Sequence, residues 1–147
     1  MISRSTVIER SPDEVFAYLD DLEAHREWQD QIRSARVLTE GSTRAGTEVE
    51  ETRAIPGGRT MTMRWRVTEH DHDARRSAFE TLESKMMKPS GVVEVTPAGE
   101  HSEVTFSMEP NPIGFGRLLA PLIRRDVGRQ IERDLAALKR RLEPGDA

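Results

Sequence analysis

The chain has 147 residues, a formal net charge of -4 and no cysteine. It is long enough for one domain with a core held by packing alone, and it excludes a disulfide framework, a thiolate nucleophile and a sulfur-ligated zinc site. No stretch reaches the ~18 apolar residues that cross a bilayer, and MISRSTVIERS lacks a continuous apolar leader core, so a cytoplasmic protein with no transmembrane segment is expected. Basic residues alternate with acidic ones except in the last helix, where they sit among Asp126, Glu132 and Asp134. Nucleic-acid binding needs a clustered basic face, so no nucleic-acid partner is expected.

In chain order, Ile2 to Glu9 alternates as a strand. Ser11-Pro12 with Glu14 forms a helix start, and the helix Pro12 to Leu19 turns Val15, Phe16 and Leu19 inward. Asp20 and Asp21 are expected to cap a second short, polar helical piece, roughly Leu22 to Asp30, which contains Trp28. Six segments then alternate or carry β-branched residues: Ile32 to Thr39, Thr47 to Ile55, Arg59 to His70, Arg75 to Glu83, Gly91 to Pro97 and Glu103 to Glu109. EGSTRAG, PGG, HDHD, KMMKPS and PAGEHS separate them at hairpin spacing, which predicts an antiparallel meander.

Ile113 to Leu142 reads as one long amphipathic helix. Val127, Ile131, Leu135, Leu138 and Leu142 share a stripe, while Arg125, Arg129, Arg133, Lys139 and Arg140 lie mostly off it. Upstream, Phe115, Leu118, Leu119, Leu122 and Ile123 spread around the circumference, and Pro121 either starts the regular helix or kinks it. That apolar start packs under a neighbouring loop, or it forms a cavity lid, a subunit contact such as a homodimer interface, or a lipid-facing patch. A single domain over 1–143 is expected, with a disordered tail at 144–147.

The strand TMTMRWRVTEH places Met61, Met63, Trp65 and Val67 on one face and its threonines and arginines on the other. The same alternation turns Val104, Phe106 and Met108 inward. Methionine suits an adaptable ligand surface, although apolar periodicity alone does not distinguish a filled core from a cavity wall. In Thr47 to Ile55, facing Val49 inward also faces Glu51 and Arg53 inward, where they either pair with each other or line a hydrated part of a cavity. These two are the catalytic candidates if there is catalysis.

No histidine is expected on an inward face. His70 and His72 flank the HDHD turn, His101 sits in another turn, and His25 lies on the polar second helix. HDHD invites a metal reading, but turns commonly carry these residues and no third ligand is evident, so no metal is expected. GxSxG, Walker, GxGxxG and HExxH motifs are absent, and no cofactor is expected.

SxxIxRSPDEVFAYLDDLEAHREWQ, a glycine-bearing turn before a strand, WRVTEH, VEVTPAGEHSEVTFSME and LxPLIRRDVGRQIERDLAALKRRLE together resemble the START-domain and polyketide cyclase-dehydratase superfamily, over nearly the whole chain. The resemblance implies an α+β helix-grip fold: a seven-stranded antiparallel sheet wrapped around a long C-terminal helix, with two short helices after the first strand and a cavity between sheet and helix. It implies a binding or carrier protein for a hydrophobic small molecule such as a lipid or polyketide. A polyketide cyclase or dehydratase is the alternative, and an interaction module working through Ile113 to Ile123 is a second. The expected ligand wall comprises Val49, Glu51, Arg53, Met61, Met63, Trp65, Phe79, Val104, Phe106 and Met108 on the sheet. Phe115, Leu119, Ile123, Val127 and Ile131 complete it from the helix.

Overall fold

The computed structural model describes residues 1–55 and 57–143, and the tail expected at 144–147 lies outside the described residues. The strands are β1 (Ile2–Ile8), β2 (Ile32–Val37), β3 (Glu48–Ile55), β4 (Arg59–Asp71), β5 (Arg76–Glu83), β6 (Ser90–Ala98) and β7 (His101–Glu109). They form one sheet in the order β1-β7-β6-β5-β4-β3-β2, with every neighbouring pair antiparallel. β1 and β2 thus occupy opposite edges, and the helix α1 (Pro12–Asp20) with a 3₁₀ helix (Leu22–Glu27) carries the chain between them. β4 slips register against β5 at Arg64/Trp65 and at Val67/Glu69. Such bulges bend a strand and increase its twist.

Local chemistry explains the helix boundaries. The Glu14 N–H donates to Ser11 Oγ at 3.3 Å, and the Ser11 hydroxyl donates to Glu14 Oε1 at 3.0 Å, closing the expected cap. The 3₁₀ helix departs from expectation, because no side chain caps it. The Asp20 carboxylate instead accepts from His70 Nε2 at 2.8 Å, tying the end of α1 to the end of β4.

The segment 113–142 is also not one helix. A second 3₁₀ helix (Gly114–Leu119) precedes α2 (Ala120–Leu142). Two contacts impose the break. The Ile113 N–H donates to the Met86 carbonyl at 2.9 Å, and a Cβ on Gly116 would stand 2.1 Å from that same oxygen, so only glycine fits there. Pro121 falls in the first turn of α2, where no N–H is required, so it starts the helix and does not bend it.

The stripe of α2 is buried as its period predicts, with Val127, Ile131, Leu135 and Leu138 between 0% and 8% exposed. The core nevertheless divides in two. One cluster joins α1, β1, β6, β7 and α2 through Ile8, Val15, Phe16, Leu19, Trp28, Val95, Val104 and the α2 stripe. The other joins the first 3₁₀ helix to β3 and β4 through Leu22, Val49, Trp65 and Val67.

Candidate functional site

Register fixes what faces the interval between the two clusters. Glu51 pairs with Met63, Arg53 with Met61, Trp65 with Val49 and Thr81, and Phe79 with Val67 and Gly91. Directly paired residues share a face, so one surface carries Val49, Glu51, Arg53, Met61, Met63, Trp65 and Phe79, and β7 extends it with Val104, Phe106 and Met108. A Cβ on Gly91 would lie 2.8 Å from the Phe79 ring, so the missing side chain leaves Phe79 its space.

Aromatic rings form a file across this surface. His25 stands edge-on to Trp28 at 5.3 Å and stacks on Trp65 at 6.4 Å and 9°; Trp65 meets Phe79 at 5.6 Å, and Phe79 meets Phe106 at 6.4 Å. His25 therefore lies inside, contrary to the expectation that no histidine faces inward. The physical reason is the helix type: with three residues per 3₁₀ turn, Leu22, His25 and Trp28 share one face, whereas an α-period separates them. The His25 Nε2–H donates to the Leu19 carbonyl at 2.8 Å, and burial holds its pKa below the ordinary value.

A polar cluster lies beside the file. Glu51, 5% exposed, accepts from Arg53 Nε on one oxygen and from Trp65 Nε1 on the other, the latter at 3.2 Å. Arg53 also donates to Gln29 Oε1. Across from it, Gln130 on α2 donates to Asp134 Oδ1 at 2.7 Å and to Asp30 Oδ1 at 3.4 Å. Burial pushes Asp134 up to about 6, against the lowering effects of its Gln130 hydrogen bond and the Arg53 charge. The two candidates from the sequence, Glu51 and Arg53, are thus brought together and satisfied largely by each other. Gln29, Gln130 and Asp134 were not anticipated. Asp134 was detectable, since Ile131, Asp134 and Leu138 follow helical spacing along the apolar stripe.

Of the expected wall, Val127 and Ile131 are buried on the inner side of α2 and Val49, Met63, Trp65 and Val104 are buried on the sheet, whereas Phe79, Phe106, Met108, Met61 and Ile123 are only half-buried. Phe115 and Leu119 are a correction: at 82% and 43% exposed they stand on the outer surface, because the second 3₁₀ helix presses its Gly116 side, not its apolar side, against the Met86 loop. His70 packs on Phe16 at 5.6 Å and pairs with Asp20; no metal-binding group of three ligands exists among the described residues. Two open grooves lie away from the aromatic file. One, of 620 Å³, runs between Asp20, Leu22, Thr43 and His70, and another, of 460 Å³, between Arg10, Tyr18 and Arg141.

Solved structures share this fold. A protein of Thermus thermophilus superimposes with a TM-score of 0.83 at 21% identity, over 96% of this chain and 95% of the other. A START superfamily protein from Mycobacterium smegmatis gives 0.80 at 14% identity, over 96% and 95%. The Zhui aromatase/cyclase from Streptomyces sp. R1128 gives 0.76 at 16% identity, over 93% and 89%. These likenesses establish the helix-grip fold. No curated protein matches the chain. The family described as polyketide cyclase / dehydrase and lipid transport matches residues 1–143, and the chain belongs to that family.

Proposed function

We propose that this single domain binds one hydrophobic small molecule between the sheet and α2, as a carrier. The observation that supports this is the burial pattern: Phe79, Phe106, Met108 and Met61 share the inner face of the sheet yet stay half-buried, Phe106 and Met108 at the margin of the first cluster and Phe79 at the margin of the second. Apolar and aromatic surface lined this way, with a few convergent polar groups, is what a small-molecule site requires. Val49, Met63, Trp65, Val104, Ile123, Val127 and Ile131 would complete the apolar wall, and Glu51, Arg53 and Asp134 would meet a polar end of the ligand. Trp28 adds a buried indole N–H with no acceptor among the described residues, a donor that a ligand oxygen would satisfy. Phe115 and Leu119 have no part in the wall.

The carrier reading is preferred over a cyclase or dehydratase because both oxygens of Glu51 and the guanidinium of Arg53 are occupied by each other, Trp65 and Gln29. Such a set shapes and charges a wall more readily than it exchanges protons. Native mass spectrometry after incubation with a lipid extract should show one apolar molecule per chain. Turnover of a poly-β-ketone chain that is abolished by Glu51→Gln with Arg53→Met, the fold intact, would instead establish the enzyme.

A further inference from the structure

The second 3₁₀ helix and the start of α2 carry a feature that the ligand site does not use. Phe115, Leu118, Leu119 and Leu122 are 82%, 78%, 43% and 59% exposed, and Met86 beside them is 38% exposed. Elsewhere among the described residues only Met1, Val7 and Leu38 are exposed large apolar side chains, and they are scattered. Contiguous exposed apolar surface on a folded chain marks a contact.

The charge around this patch is as uneven as its hydropathy. Loop 84–89 is joined to segment 110–125 by the hydrogen bond from Ile113 to Met86 and by that from Lys88 to Asn111. Within these two stretches lie Lys85, Lys88, Arg117, Arg124 and Arg125 and no acidic residue, in a chain that holds 26 acidic and 22 basic residues. Arg124 is paired with Glu109, whereas Lys85, Lys88, Arg117 and Arg125 have no ion-pair partner among the described residues. Glu83, Glu109 and Asp126 border these stretches, but Glu83 pairs with Arg64 and Glu109 with Arg124, so the uncompensated charge on this surface is mainly cationic.

We infer that this patch docks on an anionic lipid bilayer. Phe115, Leu118, Leu119 and Leu122 enter the headgroup–acyl boundary, and Lys85, Lys88, Arg117 and Arg125 meet the anionic headgroups. This division of apolar wedge and flanking cations is the pattern of interfacial membrane binding. Charge also argues against a second copy of the chain, because a two-fold contact would bring one predominantly cationic patch against another. The patch adjoins Met87, which packs with the first core cluster, and Ile123, which faces the interior, so a docked chain would hold that end of the sheet–helix interval near the bilayer. The inference stands without the ligand proposal, since it rests on surface residues alone.

Cosedimentation tests it with two vesicle preparations, one of phosphatidylcholine and one of equal parts phosphatidylcholine and phosphatidylserine. The chain is expected to sediment with the second and not the first, and to be released as salt is raised. Leu118→Asp and Leu122→Asp should abolish sedimentation while circular dichroism stays unchanged, both sites being exposed. Each of Lys85→Ala and Arg125→Ala should weaken it about fivefold, and Leu38→Asp should leave it intact. Equal affinity for both vesicles, no affinity for either, or light scattering that shows a dimer dispersed by Leu118→Asp would overturn the inference. Uptake of an apolar probe in the absence of vesicles is scored separately, so loss of either property leaves the other readable.

Discussion

The interior has a sealed half and an open half, and one helix serves both. Toward β1, α2 comes close: a Cβ on Gly128 would lie 2.9 Å from Arg4 and 3.6 Å from Ile2, and Ile8, Val15, Val104 and Leu138 reach 0% exposure. Toward β3 the helix faces polar side chains, with Asp134 near the Arg53 charge, and Phe79 and Met61 on the sheet keep contact with solvent, as do Phe106 and Ile123 at the margin of the first cluster. The lesson is that one sheet is tightly packed at one end and more loosely enclosed at the other. Groups packed into the first half hold the fold, while those in the second are less tightly enclosed.

Substitution should separate the halves, and the largest effect belongs to the sealed one. Leu138→Ala leaves a cavity where no neighbour can collapse and is expected to cost about 3 kcal/mol in urea denaturation, whereas Ile123→Ala should cost under about 1 kcal/mol. Equal losses would break the comparison. Next, Glu51→Leu strands the Arg53 guanidinium and the Trp65 N–H together and should cost about 2 kcal/mol, less than a fully dry pair because the Arg53 side chain is 23% exposed. Glu51→Gln, which keeps an acceptor, should recover part of that loss.

The pH dependence sharpens the account of the open half. Asp134 binds its proton near 6 when folded, against an ordinary 3.8. The folded chain therefore holds more protons between these values, and stability falls as pH rises through that window and stays lowered above it. Asp134→Asn should be more stable than the parent at neutral pH by on the order of 2 kcal/mol, and equal to it below about pH 4. His25 acts in the opposite sense. Its folded pKa is depressed below 6.5, so the unfolded chain takes the extra proton and stability is lost as pH falls from 6.5. His25→Asn should flatten that limb of a pH-stability curve. The smallest effect is expected on the outer face, where Arg36 and Glu50 pair with side chains 70% and 46% exposed. Arg36→Ala should change stability by under about 0.5 kcal/mol.

Much of this was legible in the residues, for reasons that differ by element. Period-2 alternation placed Met61, Met63, Trp65 and Val67 on one face because a strand has only two faces to choose between. The stripe from Val127 to Leu138 was equally plain, since one side of a surface helix must bury its apolar residues. What escaped depended on backbone choices that periodicity does not encode. A 3₁₀ turn in place of an α-turn brought His25 inside, and a carbonyl pressed against Gly116 turned Phe115 and Leu119 outward. The polar cluster was half visible: one strand shows Glu51 and Arg53, but Gln29 and Asp134 join them only through the folding of distant segments.

Titration with a fluorescent long-chain fatty-acid analogue, on the parent chain and on Ile123→Trp, tests the open half most directly. The parent should saturate at one probe per chain, and the larger ring, set on the half-buried side of α2, should weaken uptake by about tenfold or more with the urea midpoint retained. Absence of saturable uptake, or equal uptake by both chains, would contradict the account.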